Sequence, residues 1–528
     1  MKEQSQPRAT ASAMDSPRLK GQGSLESSPV APEASCGMGS AAGTRLTPRQ
    51  LESHLWEAAN LLRGKIDSAD FKSYIFSLLF YKRLCDVWEE ESAAGRERHR
   101  FVVPEAALWS NVCDGRPGLG RRLDAALQVL EEANRRLMGV FRQVSFDHPD
   151  RFPDSTLERL IQHFERHRLR NADVEPDMLG NAYEYLIAQF ADDAGKRGGE
   201  FYTPKQVVRL LVECLQPGPG MSVYDPACGS GGMLLGAVSH LTRQSREPSE
   251  LELFGQEMNV NTWAICQTNL LLHGIDHASV VCGDTLRQPR HLTSDGKALR
   301  TFDRVLANPP FSLKNWGHDE WCHGDRFRRD RYGCPPRHYG DLAFVQHMIA
   351  TLAPQGRLGV VLPLGILFRR GAESSIRRQL VEDDLIEAVI GLAPNLFYGT
   401  TISTCVLILA RRKSAFRRGQ VLFVDGTEER AKRKNQDHLS DANVSRLVAA
   451  FEAFDNQAGF SHVATLEEIA ANDFHLTVSR YVQLALPDEV HDSAGELQLL
   501  LQLRNQREAA ETEMLRLFAE LGLDQPGE

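Results

Sequence analysis

The sequence of 528 residues lacks closely spaced cysteine pairs, long apolar runs and an excess of positive charge. Its ten cysteines include no C-x-x-C pair, which argues against zinc ribbons and small disulfide scaffolds and predicts reduced, mostly buried thiols. The most apolar run, Leu358 to Phe368, contains Pro363 and is far shorter than the roughly 20 residues that cross a bilayer. We therefore expect no membrane span, and an N-terminus without an apolar core predicts a cytoplasmic protein.

The charge balance excludes one class of nucleic-acid protein. The chain has 61 Lys and Arg against 70 Asp and Glu, a net charge of −9. A protein that coats nucleic acid through its overall charge has the opposite sign, although a local basic patch remains compatible with this balance. The composition, 42% hydrophobic and 25% charged, is that of a folded globular protein, and the length predicts about three or four domains.

The first part of the chain divides into a tail and a helical domain. Residues 1–45 lack periodicity and large apolar side chains, which predicts a disordered tail. Thr47 and Gln50 then have the spacing of a capping box, and apolar side chains recur at helical spacing, for example over residues 123–141. We therefore predict an all-helical domain over residues 46–195.

Between residues 196 and 486, short β-branched runs alternate with helical stretches. This alternation predicts an α/β fold with a doubly wound, mostly parallel, Rossmann-like sheet. Ligands bind such sheets at the carboxyl ends of the strands. The runs predicted as strands are 222–224, 251–254, 279–282, 304–307, 358–362, 386–390 and 405–409.

Residues 487–528 are predicted to form a C-terminal helical extension. Leu500, Leu503, Met514 and Leu517 belong to a heptad-like stripe that Arg507 interrupts. Such a stripe suits either a helix packed on its own domain or a helix that binds a partner. Periodicity does not distinguish the two.

A glycine-rich segment, Asp225-Pro-Ala-Cys-Gly-Ser-Gly-Gly232, joins the first predicted strand to a predicted helix that begins near Met233. Glycines allow the backbone to approach a ligand closely, and a helix N-terminus offers free N–H groups. The segment lacks the Lys-Ser/Thr of a P-loop and the G-x-G-x-x-G spacing of NAD sites, which argues against both ligands. A tight turn without a ligand is the structural alternative.

Two acids follow the next predicted strands. Glu257 comes just after the second, where doubly wound folds accept hydrogen bonds from ribose hydroxyls. Asp284 comes after the third, where it is placed either to accept from an adenine amino group or to cap a turn.

The segment Asn308-Pro309-Pro310-Phe311 ends the fourth predicted strand. The two prolines have no N–H and a fixed φ, which leaves carbonyls that only accept hydrogen bonds. The Asn308 carboxamide oxygen and the Pro309 carbonyl form a pair of acceptors suited to an exocyclic amino group, and Phe311 offers a face for a stacked base. Coming at the end of successive strands, these signals predict a site for a base with an amino group.

The glycine-rich segment together with Asn308 to Phe311 resembles the cofactor and catalytic motifs of amino-group DNA methyltransferases. The wider pattern resembles the modification subunit of type I restriction-modification systems. This pattern includes residues 200–204 (EFYTP), 391–400 (GLAPNLFYGT), 472–482 (NDFHLTVSRYV) and the helical start. In the segment 391–400, Ala393 departs from the family pattern, which has Pro one place earlier. This departure predicts a local difference in the loop.

The resemblance implies a site-specific DNA adenine N6-methyltransferase that uses S-adenosyl-L-methionine. Asn308, Pro309, Pro310 and Phe311 would then hold a flipped adenine. By the same resemblance, the residues that would hold the cofactor are Glu200, Phe201, Tyr202, Thr203, Pro204, Lys205, Asp225, Gly229, Ser230, Gly231, Gly232, Glu257 and Asp284.

Partners follow from the same resemblance. It implies double-stranded DNA as substrate, and a complex with a specificity subunit, a second copy of the chain and often a restriction subunit. The arginine-rich segment after Phe311 is predicted to contact DNA phosphates, with a solvated loop as the alternative. The residues predicted for this contact are Arg326, Arg328, Arg329, Arg331 and Arg337.

Two further questions stay open at this stage. A protein-glutamine or RNA amino-group methyltransferase, or a catalytically silent cofactor-binding assembly subunit, would also explain the motifs. Cys322, His323, Cys334 and His338 are irregularly spaced for a zinc site, and we expect no metal there.

Overall fold

The computed structural model describes residues 45–62, 68–96, 99–148, 152–193, 202–397, 402–432, 437–482 and 493–521. All of the predicted tail except Arg45, and the cofactor candidates Glu200 and Phe201, lie outside these ranges.

The described part begins with a set of packed helices, as predicted. Thr47 and Gln50 form the capping box: Thr47 N donates to Gln50 Oε1 (2.9 Å), and Gln50 N donates to Thr47 Oγ1 (3.4 Å). The helical stretch predicted to reach Phe141 ends earlier, because α4 stops at Ala133 and short turns follow. The helices are α1 (Pro48–Leu62), α2 (Ser68–Ala93), α3 (Trp109–Val112), α4 (Leu119–Ala133), α5 (Asp154–Glu165), α6 (Pro176–Asp193) and α7 (Lys205–Leu215).

The rest of the chain forms one sheet in the strand order β3-β2-β1-β4-β5-β7-β6-β8-β9. The first five strands in this order are parallel. Each predicted run lies inside a strand except that Leu251, the first residue of the second run, precedes β2. The strands are β1 (Ser222–Asp225), β2 (Glu252–Glu257), β3 (Ser279–Cys282), β4 (Phe302–Ala307), β5 (Leu352–Pro363), β6 (Ile386–Leu392), β7 (Thr404–Ala410), β8 (Gln420–Gly426) and β9 (Ser461–Thr465).

The prediction of a mostly parallel, doubly wound sheet is confirmed, with additions. Strand β7 is antiparallel to both β5 and β6, and the pattern did not predict β8 and β9. Strands β6 and β7 are buried along their whole length, and apart from Glu387 and Thr404 their residues are apolar or glycine. The remaining helices are α8 (Gly232–Arg243), α9 (Val260–Leu272), α10 (His318–Cys322), α11 (Asp341–Ala350), α12 (Ala372–Glu382), α13 (Asp441–Ala453), α14 (Leu466–Ala471) and α15 (Ser493–Glu520).

Helix α9 joins the helical region to the sheet. The hydroxyl of Tyr183 on α6 donates to the carbonyl of Ile265 on α9 (3.3 Å). Beyond the end of α9, Arg136 binds Asp276 at 2.7 Å. These contacts fix the helical region against the sheet edge.

The two ends of the sheet region differ in packing. After α14 the chain returns to the core, where Leu476 N donates to Leu367 O (2.9 Å) and Tyr481 stacks on Phe423 with ring centroids 3.9 Å apart. Helix α15 instead leaves its apolar side chains exposed, including Leu500 (63%) and Leu503 (55%). None of the described helices is both long and apolar enough to span a bilayer.

Candidate functional site

The glycine-rich loop lies between the carboxyl end of β1 and the start of α8. Gly229 (φ 53°) and Gly231 (φ 88°) adopt left-handed backbone conformations that side chains disfavour. A Cβ on Gly231 would lie 3.0 Å from Cys266 Sγ of α9, so the loop is also closely packed from behind. The first N–H groups of α8 are therefore available at this end of the sheet.

Two buried acids flank this loop. Burial raises the pKa of Asp225 to about 8, the N–H of Ala227 opposes that rise, and the nearby charge of Glu257 adds to it. The Glu257 carboxylate accepts from Gly229 N (3.0 Å) and from Asn259 N (2.8 Å). Burial raises the pKa of Glu257, although these N–H groups oppose the shift. The acid thus ties the end of β2 to the glycine loop.

The loop with Asp284 is fixed against the same edge by two side chains that the sequence analysis did not select. Gln256, fully buried, donates through Nε2 to the carbonyl of Gly283 (3.1 Å). Thr285 donates through Oγ1 to the carbonyl of Pro226 in the glycine loop (2.5 Å). Asp284 itself accepts from Leu286 N (2.9 Å), so it caps the turn.

Asn308 is the polar group at the end of β4. Its Nδ2 donates to Thr203 Oγ1 (3.0 Å), which fixes the orientation of the amide. Its Oδ1 is buried and has no hydrogen-bond partner among the described residues. Thr203, predicted as a cofactor residue, therefore contacts the catalytic candidate. A buried acceptor without a donor is costly, which is typical of an atom reserved for a ligand.

The segment after Asn308 is held from two sides. Phe311 is half-buried, and its ring meets the edge of Phe397, with centroids 6.0 Å apart. Ser312 has a positive φ of 54° and donates its N–H to Asp341 Oδ1 (2.9 Å). Because Asp341 is fully buried at the start of α11, this bond fixes the backbone that presents Phe311.

Lys205 lines one pocket with the cofactor candidates Tyr202, Thr203 and Gly232, but its charge is already paired. The ammonium group of Lys205 binds Glu184 of α6 at 2.5 Å. Tyr202 is buried and Pro204 precedes α7. We therefore leave Lys205 out of the set considered below.

Arg329 is buried, which argues against its predicted role in DNA contact. Its side chain is 3% exposed and its guanidinium binds both oxygens of Asp325 (2.9 and 2.6 Å). It also donates to the carbonyls of Thr285 (3.1 Å) and Leu286 (2.7 Å). The sequence alone did not distinguish Arg329 from the exposed arginines around it, because the arginine-rich segment has no periodicity that indicates burial. Arg329 thus joins the loop after Phe311 to the loop of Asp284.

The other four arginines of this set are exposed. Arg331 binds Asp383 (2.8 Å) and Arg337 binds Asp319. Arg326 donates to the carbonyl of Gly296 (2.8 Å), which leaves its charge without a counter-ion. Arg328 donates its backbone N–H to the carbonyl of Asp325 (2.9 Å), and its side chain has no hydrogen-bond or ion-pair partner in the described ranges. The last two are therefore the least neutralised charges of the segment.

Two family models match the chain. The model described as N-6 DNA Methylase covers residues 174–489, and the model described as HsdM N-terminal domain covers residues 51–164. Both matches agree with the order of the helical region and the sheet.

Similar proteins of both kinds, curated and structurally solved, share this assignment. The type I restriction enzyme HindI methylase subunit of Haemophilus influenzae is 34% identical over 385 residues, with 70% of this chain and 84% of that protein covered. The MjaIX methylase subunit of Methanocaldococcus jannaschii is 27% identical over 488 residues, with 84% and 86% covered. The crystal structure of a type I restriction-modification methyltransferase subunit from Streptococcus thermophilus is 30% identical, with a TM-score of 0.74, 83% of this chain covered and 100% of that one.

The buried ion pair generates a prediction about stability. Arg329→Met should lower the free energy of unfolding by about 3–5 kcal/mol, because it leaves the Asp325 carboxylate buried without its partner. Arg328→Met, at the exposed neighbouring position, should change it by less than about 0.5 kcal/mol. Urea unfolding of the two variants measures the difference, and equal losses would contradict the structural role of Arg329.

Proposed function

The chain belongs to the N-6 DNA methylase family, with methylase subunits of type I restriction enzymes as relatives, and we propose that it methylates the N6 atom of an adenine in duplex DNA. The observation that carries this proposal is the buried, unpartnered Oδ1 of Asn308 beside the half-buried ring of Phe311. An acceptor next to an aromatic face suits a base with an exocyclic amino group.

The residues around the glycine loop fit S-adenosyl-L-methionine as the methyl donor. The left-handed glycines and the free N–H groups at the start of α8 suit a carboxylate, and the acids at the ends of β2 and β3 suit hydroxyl and amino groups. We assign this binding to Tyr202, Pro204, Asp225, Gly229, Ser230, Gly231, Gly232, Glu257 and Asp284. S-Adenosylmethionine, when bound, supplies an activated methyl group.

The chain's own residues act on the adenine. Asn308 Oδ1 and the Pro309 carbonyl accept hydrogen bonds from the two N6–H groups, and this favours a pyramidal nitrogen whose lone pair is no longer delocalised into the ring. Among the described residues nothing donates to the Pro309 carbonyl, so both acceptors are available. Catalysis then consists of positioning and electrostatic stabilisation. Stacking against Phe311 helps to offset the few kcal/mol that base flipping costs.

The relatives favour DNA over the other substrate classes. A protein-glutamine or RNA methyltransferase also acts on an amino group, but the relatives described above are methylase subunits of restriction enzymes. The intact acceptor at Asn308 argues against a silent assembly subunit.

Helix α15 supports the proposal of a multisubunit complex. Its exposed stripe includes Leu500, Leu503 and Leu517, and such a stripe buries its apolar area only when another chain covers it. We assign to this helix the contact with a specificity subunit, and the second copy and the restriction subunit remain predictions.

Asn308→Ala should abolish adenine methylation and leave cofactor binding intact. The change removes the acceptor for N6, and the loss of one such preorganised group costs about a hundredfold or more in rate. Transfer of a labelled methyl group to duplex DNA measures the first effect, and calorimetric titration with S-adenosylmethionine measures the second. Full transfer by this variant would overturn the catalytic assignment, whereas loss of cofactor binding would indicate a wider structural role.

Thr203→Val should lower kcat by about tenfold, because it removes the hydroxyl that orients the Asn308 amide, at a cost of about 1.4 kcal/mol. Thr203→Ser keeps the hydroxyl and serves as the matched control. Single-turnover rates at saturating cofactor separate the two variants from wild type. An equal rate for Thr203→Val and Thr203→Ser would show that the hydrogen bond does not matter.

Arg326 and Arg328 are the proposed phosphate contacts. The double change to Ala should weaken DNA binding and reduce the slope of log K against log salt by about two, since each phosphate contact contributes about 0.9. Arg331 and Arg337 have weak surface pairs that phosphates can replace. Titrations of a labelled duplex at several salt concentrations measure the slope. Arg378→Ala, on α12, serves as the control, and an unchanged slope in the double variant would contradict the proposal.

A further inference from the structure

The loop that follows the catalytic segment contains a cluster of two cysteines and a histidine. Single ligand atoms of His318, Cys322 and Cys334 all lie within 4.8 Å of one another. His318 and Cys322 are four residues apart on α10, so they share one helix face. In the described part of the chain, no other group of three His, Cys, Asp or Glu residues meets this distance.

Imidazole nitrogen and thiolate sulfur are the ligands that zinc prefers. We propose that His318, Cys322 and Cys334 bind a zinc ion, with the fourth position open to solvent because Cys322 is exposed. Binding releases the two thiol protons to solvent and leaves each sulfur as a thiolate. From their irregular spacing, Cys322 and Cys334 were expected to be structural thiols without a metal, whereas the structure brings their two sulfurs together. The sequence signal that was missed was His318.

The surroundings of the cluster support a structural role for the metal. The same two segments are joined by the Asp319–Arg337 ion pair and by Trp316 Nε1, which donates to the carbonyl of Pro336 (3.2 Å). A shared metal ion would add a third link between α10 and the segment before α11. This link would fix the loop between Phe311 and α11, which presents Arg326 and Arg328.

A disulfide between Cys322 and Cys334 is the rival arrangement. Their Cα atoms are 5.4 Å apart, a distance that permits such a bond. A disulfide uses only two of the three clustered groups, and His318, whose Nδ1 lies 3.2 Å from Asp319 Oδ1, takes no part in it. A zinc ion uses all three, which is why we favour it.

The test is the zinc content of the full-length chain, purified with reductant and without chelator and then dialysed after addition of one equivalent of zinc chloride. Wild type should retain about one zinc per chain by mass spectrometry of the metal, and Cys322→Ser, Cys334→Ser and His318→Ala should each retain at least about tenfold less, because structural sites need all their ligands. His323→Ala is the matched control. It changes a neighbouring histidine outside the cluster and should retain zinc like wild type.

A second measurement does not depend on variants that fold. Cobalt(II) added to the metal-free chain should give an intense sulfur-to-cobalt charge-transfer band, and zinc should displace it. Wild type that retains no zinc and gives no such band would overturn the proposal. The proposal would also be overturned if the chain, purified without reductant, had a disulfide at this site. In that case a thiol reagent would detect two fewer cysteines in the denatured chain until reductant was added.

Discussion

The parallel register of β3, β2, β1 and β4 is the constraint on which the site depends. Each neighbouring pair runs in the same direction, so the carboxyl ends of these strands open at one edge of the sheet. Residues that are up to 83 positions apart in the sequence, such as Asp225 and Asn308, therefore reach the same edge. Without this register, the glycine loop and the catalytic segment would be unrelated turns.

Buried polar bonds convert this shared edge into one fixed surface. Glu257 links the second strand to the glycine loop, Thr285 links that loop to the third strand end, and Arg329 links the third strand end to the loop after Phe311. Such bonds contribute little net stability individually, but losing one partner leaves a buried group unpaired. The residues of this site are therefore positioned by hydrogen bonds between several loops and not by one helix or strand.

Asn308 differs from these linkers because half of its amide is unused. The hydrogen bond from Nδ2 to Thr203 fixes the orientation of the side-chain amide, while Oδ1 has no donor among the described residues. Leaving a buried acceptor unpaired costs about 1–3 kcal/mol in the free protein, and a substrate amino group removes that cost. An interaction of this kind strengthens when the nitrogen becomes pyramidal, so it stabilises the transition state more than the bound base.

The sequence predicted the strand-end residues because glycine, proline and acidic residues at these places follow local rules. It did not predict the direction of β7, because a continuous apolar run contains no information about the neighbour with which it pairs. Nor did it separate Arg329 from Arg328, since burial there depends on Asp325 and on carbonyls more than 40 residues away. Thr203 and Gln256 were missed as positioning residues for the same reason: each acts through a contact that only the folded chain brings together.

The acidic balance of the chain constrains how it holds DNA. Two of the four exposed arginines of the loop after Phe311 are ion-paired within the chain, namely Arg331 and Arg337. Arg326 and Arg328 have no counter-ion among the described residues. Two phosphate contacts contribute only about 1.8 to the slope of log K against log salt, so they give a weak association. The uncovered apolar stripe of α15 shows that the chain also has a surface suited to another subunit. A second chain bound there would add its own DNA contacts to those of the catalytic loop. Because linked contacts act at high effective concentration, a few weak arginine–phosphate contacts near the active site would then be enough for the complex to bind DNA.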